Sequence, residues 1–543
     1  MRVIIIVMSN SIFCAIVSLC LTFVFSFSAS AVTFEVTTAD EFQAALATAG
    51  GNGAENEIVL SEGVFKGNFK YVAEHGSGLT IRGKGSRKTI LDGESRAFVL
   101  FFSLSAHTPR IEVSALGITQ GSANTGAAIR VASTTAEPFF SWNPELHPEV
   151  TLSDLHIYKN VGGTSFRGSI IAGAGSSFLI KNSDLIDNTA LYLVDCADSC
   201  VVEIVSSQLV GTETFFNGGS RNIVRSGSII LENSVLKDME LDNSYFYGGD
   251  QEIGCTLMSS EFLGEGVVGC GSSRAFSVND TVFGVRAAFG GSGVVRNSTF
   301  LDGNITVSGA DIEFVGNLVT QPDSNSTRSM SFGGYEKLEL LSNTVVHLFL
   351  MDLTPEENNA SQIVANNIIT SKRADGLSPI LQNEFPESSK LINNILPAGD
   401  YGFWDQDVGN IQAEPSFFDI ENEDYHLTLD SIGIDGGNDE YLLDSQDFDL
   451  DGNPRVLGRS VDIGAYERST TELHPADTDG DNSISREEFD AYNLAWRGND
   501  KWTSAPEVIP VDFVTRAGFL LQKGGTYKNI GVGKPQTWVP LSD

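Results

Sequence analysis

Short apolar runs and polar corners alternate along this chain, and the alternation repeats. Between Leu152 and Leu396 one phrase returns: a polar pair, then apolar residues of β-favouring type. It reads Asn182-Ser183-Asp184-Leu185, Ser206-Ser207-Gln208-Leu209, Asn233-Ser234-Val235-Leu236 and Ser259-Ser260-Glu261-Phe262. It continues as Asn279-Asp280-Thr281-Val282, Asn297-Ser298-Thr299-Phe300, Gly316-Asn317-Leu318-Val319, Asn343-Thr344-Val345-Val346, Asn366-Asn367-Ile368-Ile369 and Asn393-Asn394-Ile395-Leu396. The interval is 18 to 27 residues, with no helical period between the phrases. One coil of this length cannot bury its own apolar face, so the coils must stack. The pattern predicts an all-β parallel β-helix solenoid. Each coil gives two or three short strands, paired with the same strands one coil on, about 4.8 Å away. Asn and Gly suit the corners because both tolerate left-handed backbone. Asn at one corner of successive coils can stack into a ladder of amides, a structural role and not a catalytic one.

The same reading places the ends. A strand at Phe34–Thr37 is followed by the capping box Thr38-Ala39-Asp40-Glu41, and Phe42, Ala45, Leu46 and Ala49 share one helical face. This helix is the expected cap over the open end of the core. Strands follow at 58–60, 79–81, 89–91, 111–113 and 116–118. Residues 133–148 break the rhythm with Phe139, Phe140, Trp142, Pro144 and His147. That loop either offers rings to sugar faces or folds down as a lid on the wall. After Tyr401 acids accumulate. Asp447, Asp449 and Asp451-Gly452 look like the front of a calcium loop, but the twelfth position is Gly458, so an Asp-stabilised turn is expected. The solenoid is expected to close near 461–467.

Composition adds the compartment. The 34 Lys and Arg against 70 Asp and Glu give a formal charge of −36, which argues against nucleic acid as a partner and suits calcium. Residues 1–31 read as a signal peptide: Arg2, an apolar stretch to about Phe27, and Ala29-Ser30-Ala31 as a cleavage site. The alternative is an uncleaved membrane anchor. Beyond the leader stand Cys196, Cys200, Cys255 and Cys270. Two local disulfides, Cys196–Cys200 and Cys255–Cys270, are favoured over crossed pairings or a zinc site. Asn297 and Asn304 lie in glycosylation sequons.

The densest chemistry follows a polar linker at 469–475. In the module at 476–543, Asp477-Thr478-Asp479-Gly480-Asp481-Asn482-Ser483-Ile484-Ser485-Arg486-Glu487-Glu488 has the spacing of an EF-hand calcium loop. Asp477, Asp479 and Asp481 supply oxygens at positions 1, 3 and 5, Ser483 its carbonyl at position 7, and Glu488 a carboxylate at position 12. Ser485 could act through water. Asn482 stands where Gly is usual, which predicts reduced affinity. Helical patterns at 489–496 and 513–521 flank no second acidic loop.

Two resemblances can be named on these residues. The opening helix, the coils, Asp451-Gly452-Asn453-Pro454-Arg455 and Asp462-Ile463-Gly464-Ala465-Tyr466-Glu467 resemble bacterial right-handed parallel β-helix proteins of the choice-of-anchor Q type, over about residues 32–468. That implies a pectate-lyase-like fold and an extracellular or cell-surface location, and it does not by itself imply an enzyme. The C-terminal unit is similar to a single EF-hand or a dockerin with one degenerate half, which would imply a protein partner.

Catalysis would need a base and cations, or paired carboxylates, on one face. Candidates are Asp195, Asp198, Arg221, Arg225, Lys237, Asp250 and Glu252, and scattered charges on a solenoid wall are commonly only its solvated face. The expectation is a secreted calcium-binding (Ca2+) solenoid that binds polysaccharide or a cell-surface protein. The alternative is a polysaccharide lyase or glycosidase.

Overall fold

The computed structural model describes residues 31–541 apart from short internal stretches, the longest being 134–147, 212–221, 243–252 and 321–328. The leader, the loop residues Phe139, Phe140, Trp142, Pro144 and His147, Cys200 and most of the 469–475 linker lie outside the described residues. Among the described residues the chain is a parallel β-helix. Its strands form three long parallel walls of 16, 15 and 13 strands. One coil shows the plan. Ser177–Lys181 lies in the first wall, Asp184–Ile186 in the second and Tyr192–Ala197 in the third; Val201–Val205 then returns to the first. Pairing is in register, with Phe178 beside Val202 and Ile180 beside Ile204. Alternate residues point inward, and these four are buried. Further along, Phe262, Phe283 and Phe300 stack at 5.2 and 4.6 Å between ring centroids. Each coil thus covers the apolar face of the one before.

The repeated phrase is the turn from the first wall to the second, and its two residues divide the work. The first has left-handed backbone: φ is 48° at Asn182, Ser206 and Asn233, 57° at Asn366 and 49° at Asn393. The second points inward and bonds to the next coil. Asn317, Asn343 and Asn367 each donate an amide N–H to the side-chain oxygen of the next Asn, the last to Asn394, at 2.9–3.1 Å. The same oxygens accept the backbone N–H of the preceding coil's Asn at 2.9 Å. In the earlier coils Ser183, Ser207, Ser234 and Ser260 take this place, each hydroxyl accepting a backbone N–H from the coil before. Serine can do this because the acceptor is all the backbone needs. At two coils the sequence phrase is one residue out: the left-handed positions are Asp280 and Ser342, and the inward ones Thr281 and Asn343. The inward side chain, not the corner amide, sets the register.

The N-terminal cap is as expected. Helix α1 (Ala39–Gly51) carries both bonds of the Thr38–Glu41 capping box. It buries Phe42 at 4.6 Å from Phe69. Gln43 closes the edge of the third wall: its amide donates to the Lys70 carbonyl at 3.0 Å and accepts the Lys70 N–H at 2.9 Å. Cys255 on the first wall and Cys270 on the third form a disulfide across the interior, with Cα atoms 5.8 Å apart. Cys196 is buried on the third wall.

The C-terminal end differs from expectation. The last rungs are Gln406–Val408 and Ile411–Gln412. Residues 461–467 are not a closing coil. They belong to a strap that runs back over the outside of the earlier coils. Asn366 exchanges two hydrogen bonds with the Asn438 backbone at 2.8 and 3.0 Å, and Ala465 donates to Thr344 Oγ1 at 2.9 Å. Beneath it lie outward apolar residues, Val315, Leu341, Ala365 and Ile392, against Tyr441 and Leu443. The Asp449–Gly452 stretch is the Asp-stabilised turn: Asp449 accepts the N–H groups of Asp451, Asn453 and Glu467. A buried ion pair braces the strap. Arg455 lies 3.3 Å from Glu467 and donates to the carbonyls of Asp462 and Gly464. Burial pushes the Glu467 carboxyl up to about 8, opposed by the guanidinium facing it.

Outside this knot His426 sits between two carboxylates, with Nδ1 2.5 Å from Asp424 and Nε2 2.6 Å from Asp451. Burial lowers its pKa, but the bonds to Asp424 and Asp451 outweigh this and lift it to about 9. The folded value lies above the ordinary 6.5, so this clamp stabilises fully below about pH 6.5 and is lost as pH rises through about 9. The melting temperature of the wild type is therefore expected to fall more between pH 7 and 9.5 than that of His426→Gln; parallel curves would refute the clamp. Separately, Asn367→Ala strips partners from Asn343 and from the Leu340 and Ala365 carbonyls. Urea unfolding should show a loss of roughly 2–4 kcal/mol, and a loss below about 1 kcal/mol would deny the ladder its structural weight.

Candidate metal centre

Helices α2 (Arg486–Gly498) and α3 (Val511–Gln522) pack around Tyr492, Val514, Ala517, Leu520 and Trp538. The packed unit takes in His474, which accepts the Ala476 N–H on Nδ1 and donates from Nε2 to the Phe513 carbonyl. Burial drives its pKa down to about 4, so the ring is neutral. The acidic loop lies between this core and the start of α2.

Within the loop, Asp477, Asp479 and Asp481 each bring one carboxylate oxygen to within 4.8 Å of the others. Local turns do this. Asp477 accepts the Gly480 N–H at 2.7 Å, and Asp481 accepts the Ser483 N–H at 2.7 Å. Gly480 and Asn482 have φ of 78° and 58°. Asn482 therefore takes the left-handed conformation that the Gly position requires, and its side chain accepts from Arg468 at 3.2 Å. The chain then pairs with 525–527: the Tyr527 N–H reaches the Asn482 carbonyl at 2.9 Å, and the Ile484 N–H reaches the Gly525 carbonyl at 3.1 Å. Ile484 is buried.

Glu488 closes the loop. One oxygen accepts the Thr478 N–H and hydroxyl at 2.7 and 2.9 Å. The other accepts the Ser485 N–H and hydroxyl, both at 2.9 Å, as the capping box of α2. Burial would raise its pKa, but these bonds from Ser485 and Thr478 outweigh it and hold the carboxyl below its ordinary value. Glu488 thus ties the first residues of the loop to the first turn of the helix and is not in the tight group of three. Asp477 is pushed up to about 6, by burial first, against hydrogen bonds from Tyr527 and Gly480. Tyr527 was missed in the sequence. Its hydroxyl donates to Asp477 at 2.6 Å and accepts the His474 N–H at 2.9 Å, anchoring the first acid to the core. It lies 50 residues from Asp477, beyond any motif. A cluster offering only carboxylate oxygens could hold a hard cation.

The catalytic candidates separate. Asp198, Arg221, Asp250 and Glu252 lie outside the described residues. Lys237 is on the second wall, paired with Val210 and Leu263. Asp195, Arg225 and Asp242 occupy one column of the third wall on successive coils. The register thus brings one basic and two acidic positions together, which the sequence could not establish.

Among the described residues no helix is long and apolar enough to cross a membrane. No protein-family model and no curated protein matches the chain. Two solved structures are similar. The PL6 family alginate lyase AlyGC has a TM-score of 0.31 at 13% identity over 77% of this chain and 60% of its own. The pectate lyase Pel9A has a TM-score of 0.24 at 8% identity over 81% of this chain and 98% of its own. The chain thus spans less than two thirds of AlyGC, and likeness at this level carries nothing about activity.

Proposed function

We propose that this is an exported calcium-binding β-helix that attaches to extracellular polysaccharide. The observation that carries the calcium part is the convergence of Asp477, Asp479 and Asp481 in a loop already turned at Gly480 and Asn482. In this reading the Ser483 carbonyl and Glu488 complete the oxygen set. The ion would relieve the mutual repulsion of the three acids, and Arg468, which donates to the Gly480 carbonyl at 2.9 Å, would tie the loaded loop to the strap. Export is supported by the leader and by the Cys255–Cys270 bridge. The likeness of Asp451–Arg455 and Asp462–Glu467 to choice-of-anchor Q proteins supports a surface location.

A second reading, cleavage of an acidic polysaccharide, is favoured by the Asp195, Arg225 and Asp242 column. There Arg225 would neutralise a substrate carboxylate, and a flanking position would move the proton.

Calorimetric titration of the full chain should show one calcium site, and Asp479→Asn should weaken it at least about tenfold. Saturating calcium, at about 100 times Kd, should stabilise the module by about 2.7 kcal/mol. Absence of heat and of any thermal shift would sink the calcium reading. For the second reading, wild-type protein is incubated with pectate, alginate and chondroitin and followed by absorbance of unsaturated ends. Product that disappears in Arg225→Ala would install the lyase in place of the binding protein; no product on any polymer would remove it.

A further inference from the structure

The third wall carries a second group of charges, at the N-terminal end, that neither the calcium loop nor the Asp195 column uses. Register places Lys70, Phe101 and Arg130 side by side on three successive strands. All three stand on the outer face, alternating with the buried Phe69, Tyr71, Leu100, Phe102, Ile129 and Val131. Lys70 and Arg130 are exposed, and Phe101 is half-buried. The ring stands between the two cations, with Lys70 Nζ and Arg130 Cζ each 5.6 Å from its centroid. Among the described residues neither cation is in an ion pair with a carboxylate. In a chain of 70 acids and 34 bases such a pair is not the average surface.

The group is also fixed in place. Both backbone polar groups of Lys70 are held by Gln43 of α1. Phe101 packs on Phe98, with centroids 5.2 Å apart, and the Phe98 carbonyl accepts from the Asn68 amide at 2.6 Å. The aromatic ring keeps the cations two rungs apart, about 9.6 Å along the solenoid axis. It also supplies an apolar edge between them.

We propose that Lys70, Phe101 and Arg130 form a binding site for an acidic polysaccharide laid along the third wall. An extended chain of 1,4-linked uronic acids advances by a distance close to one rung per sugar and turns alternate carboxylates to the same side. Two such carboxylates reach Lys70 and Arg130, and the C–H face of the sugar between them lies on Phe101. A neutral glucan lacks the charges, and an isolated small anion meets only one cation. The polymer class rests on the reading of the protein as a polysaccharide-binding solenoid, whereas the site rests on the register and the ring geometry alone.

The test uses the full chain in two assays, both with chelator, so that calcium bridging to the acidic surface makes no contribution. Retention on immobilised pectate and alginate tests the reading. Saturation-transfer NMR with a galacturonate trisaccharide, against a neutral cellotriose, tests the site. Lys70→Gln and Arg130→Gln should each weaken trisaccharide binding about tenfold, and Phe101→Ala should remove the signal from the sugar C–H protons. Lys70→Arg should restore most of the binding. Circular dichroism melts check that the variants keep the wall. Retention and transfer that are equal in wild type and all variants would overturn the site and leave the polysaccharide reading standing. No retention and no transfer in the wild type would overturn both. Equal transfer from cellotriose would overturn the acidic class.

Discussion

The structure depends on satisfying one turn. Where the first wall bends into the second, from the coil of Leu155 onward, the buried N–H of the inward corner residue is met by a side chain of the next coil. The inward Ser, Thr or Asn there accepts it, as Ser207 does for Ser183 and Asn343 for Asn317. A buried amide without a partner costs as much as a good core contact yields. Coil stacking is thus enforced from two sides: the apolar interior demands a neighbour, and so does the corner. The stacked Phe262, Phe283 and Phe300 show the first demand and the Asn317 to Asn394 ladder the second.

This double demand explains why the solenoid was legible. A constraint that recurs every coil writes the same residue types at the same spacing, so Asn366-Asn367 and Asn393-Asn394 could be read without any partner in view. The capping helix was legible for a similar reason, since Thr38, Glu41 and Phe42 act within a few residues of each other. The strap was not. Its partners, Asn438 with Asn366 and Ala465 with Thr344, lie 72 and 121 residues apart and occur once. Nothing periodic announces them, so residues 461–467 read as one more coil.

The charged positions divide in the same way. The acidic loop is a local motif, and its three aspartates lie together as their spacing leads one to expect. Its anchor, Tyr527, is remote and was not visible. On the third wall, coils of unequal length hide which residues share a column. Asp195 with Arg225 and Asp242, and Lys70 with Phe101 and Arg130, become neighbours only once register is known.

Gln43 has a wider consequence. A stack of identical-looking rungs has no intrinsic first member, and an open wall would accept a strand from any other copy of the chain. The glutamine amide offers Lys70 one donor and one acceptor, a peptide group in miniature, and extends no further. With that single side chain the third wall acquires a beginning. A fold that could otherwise propagate as a fibre is thereby given a first rung on this wall, and a polar side chain rather than the repeat defines where that wall starts.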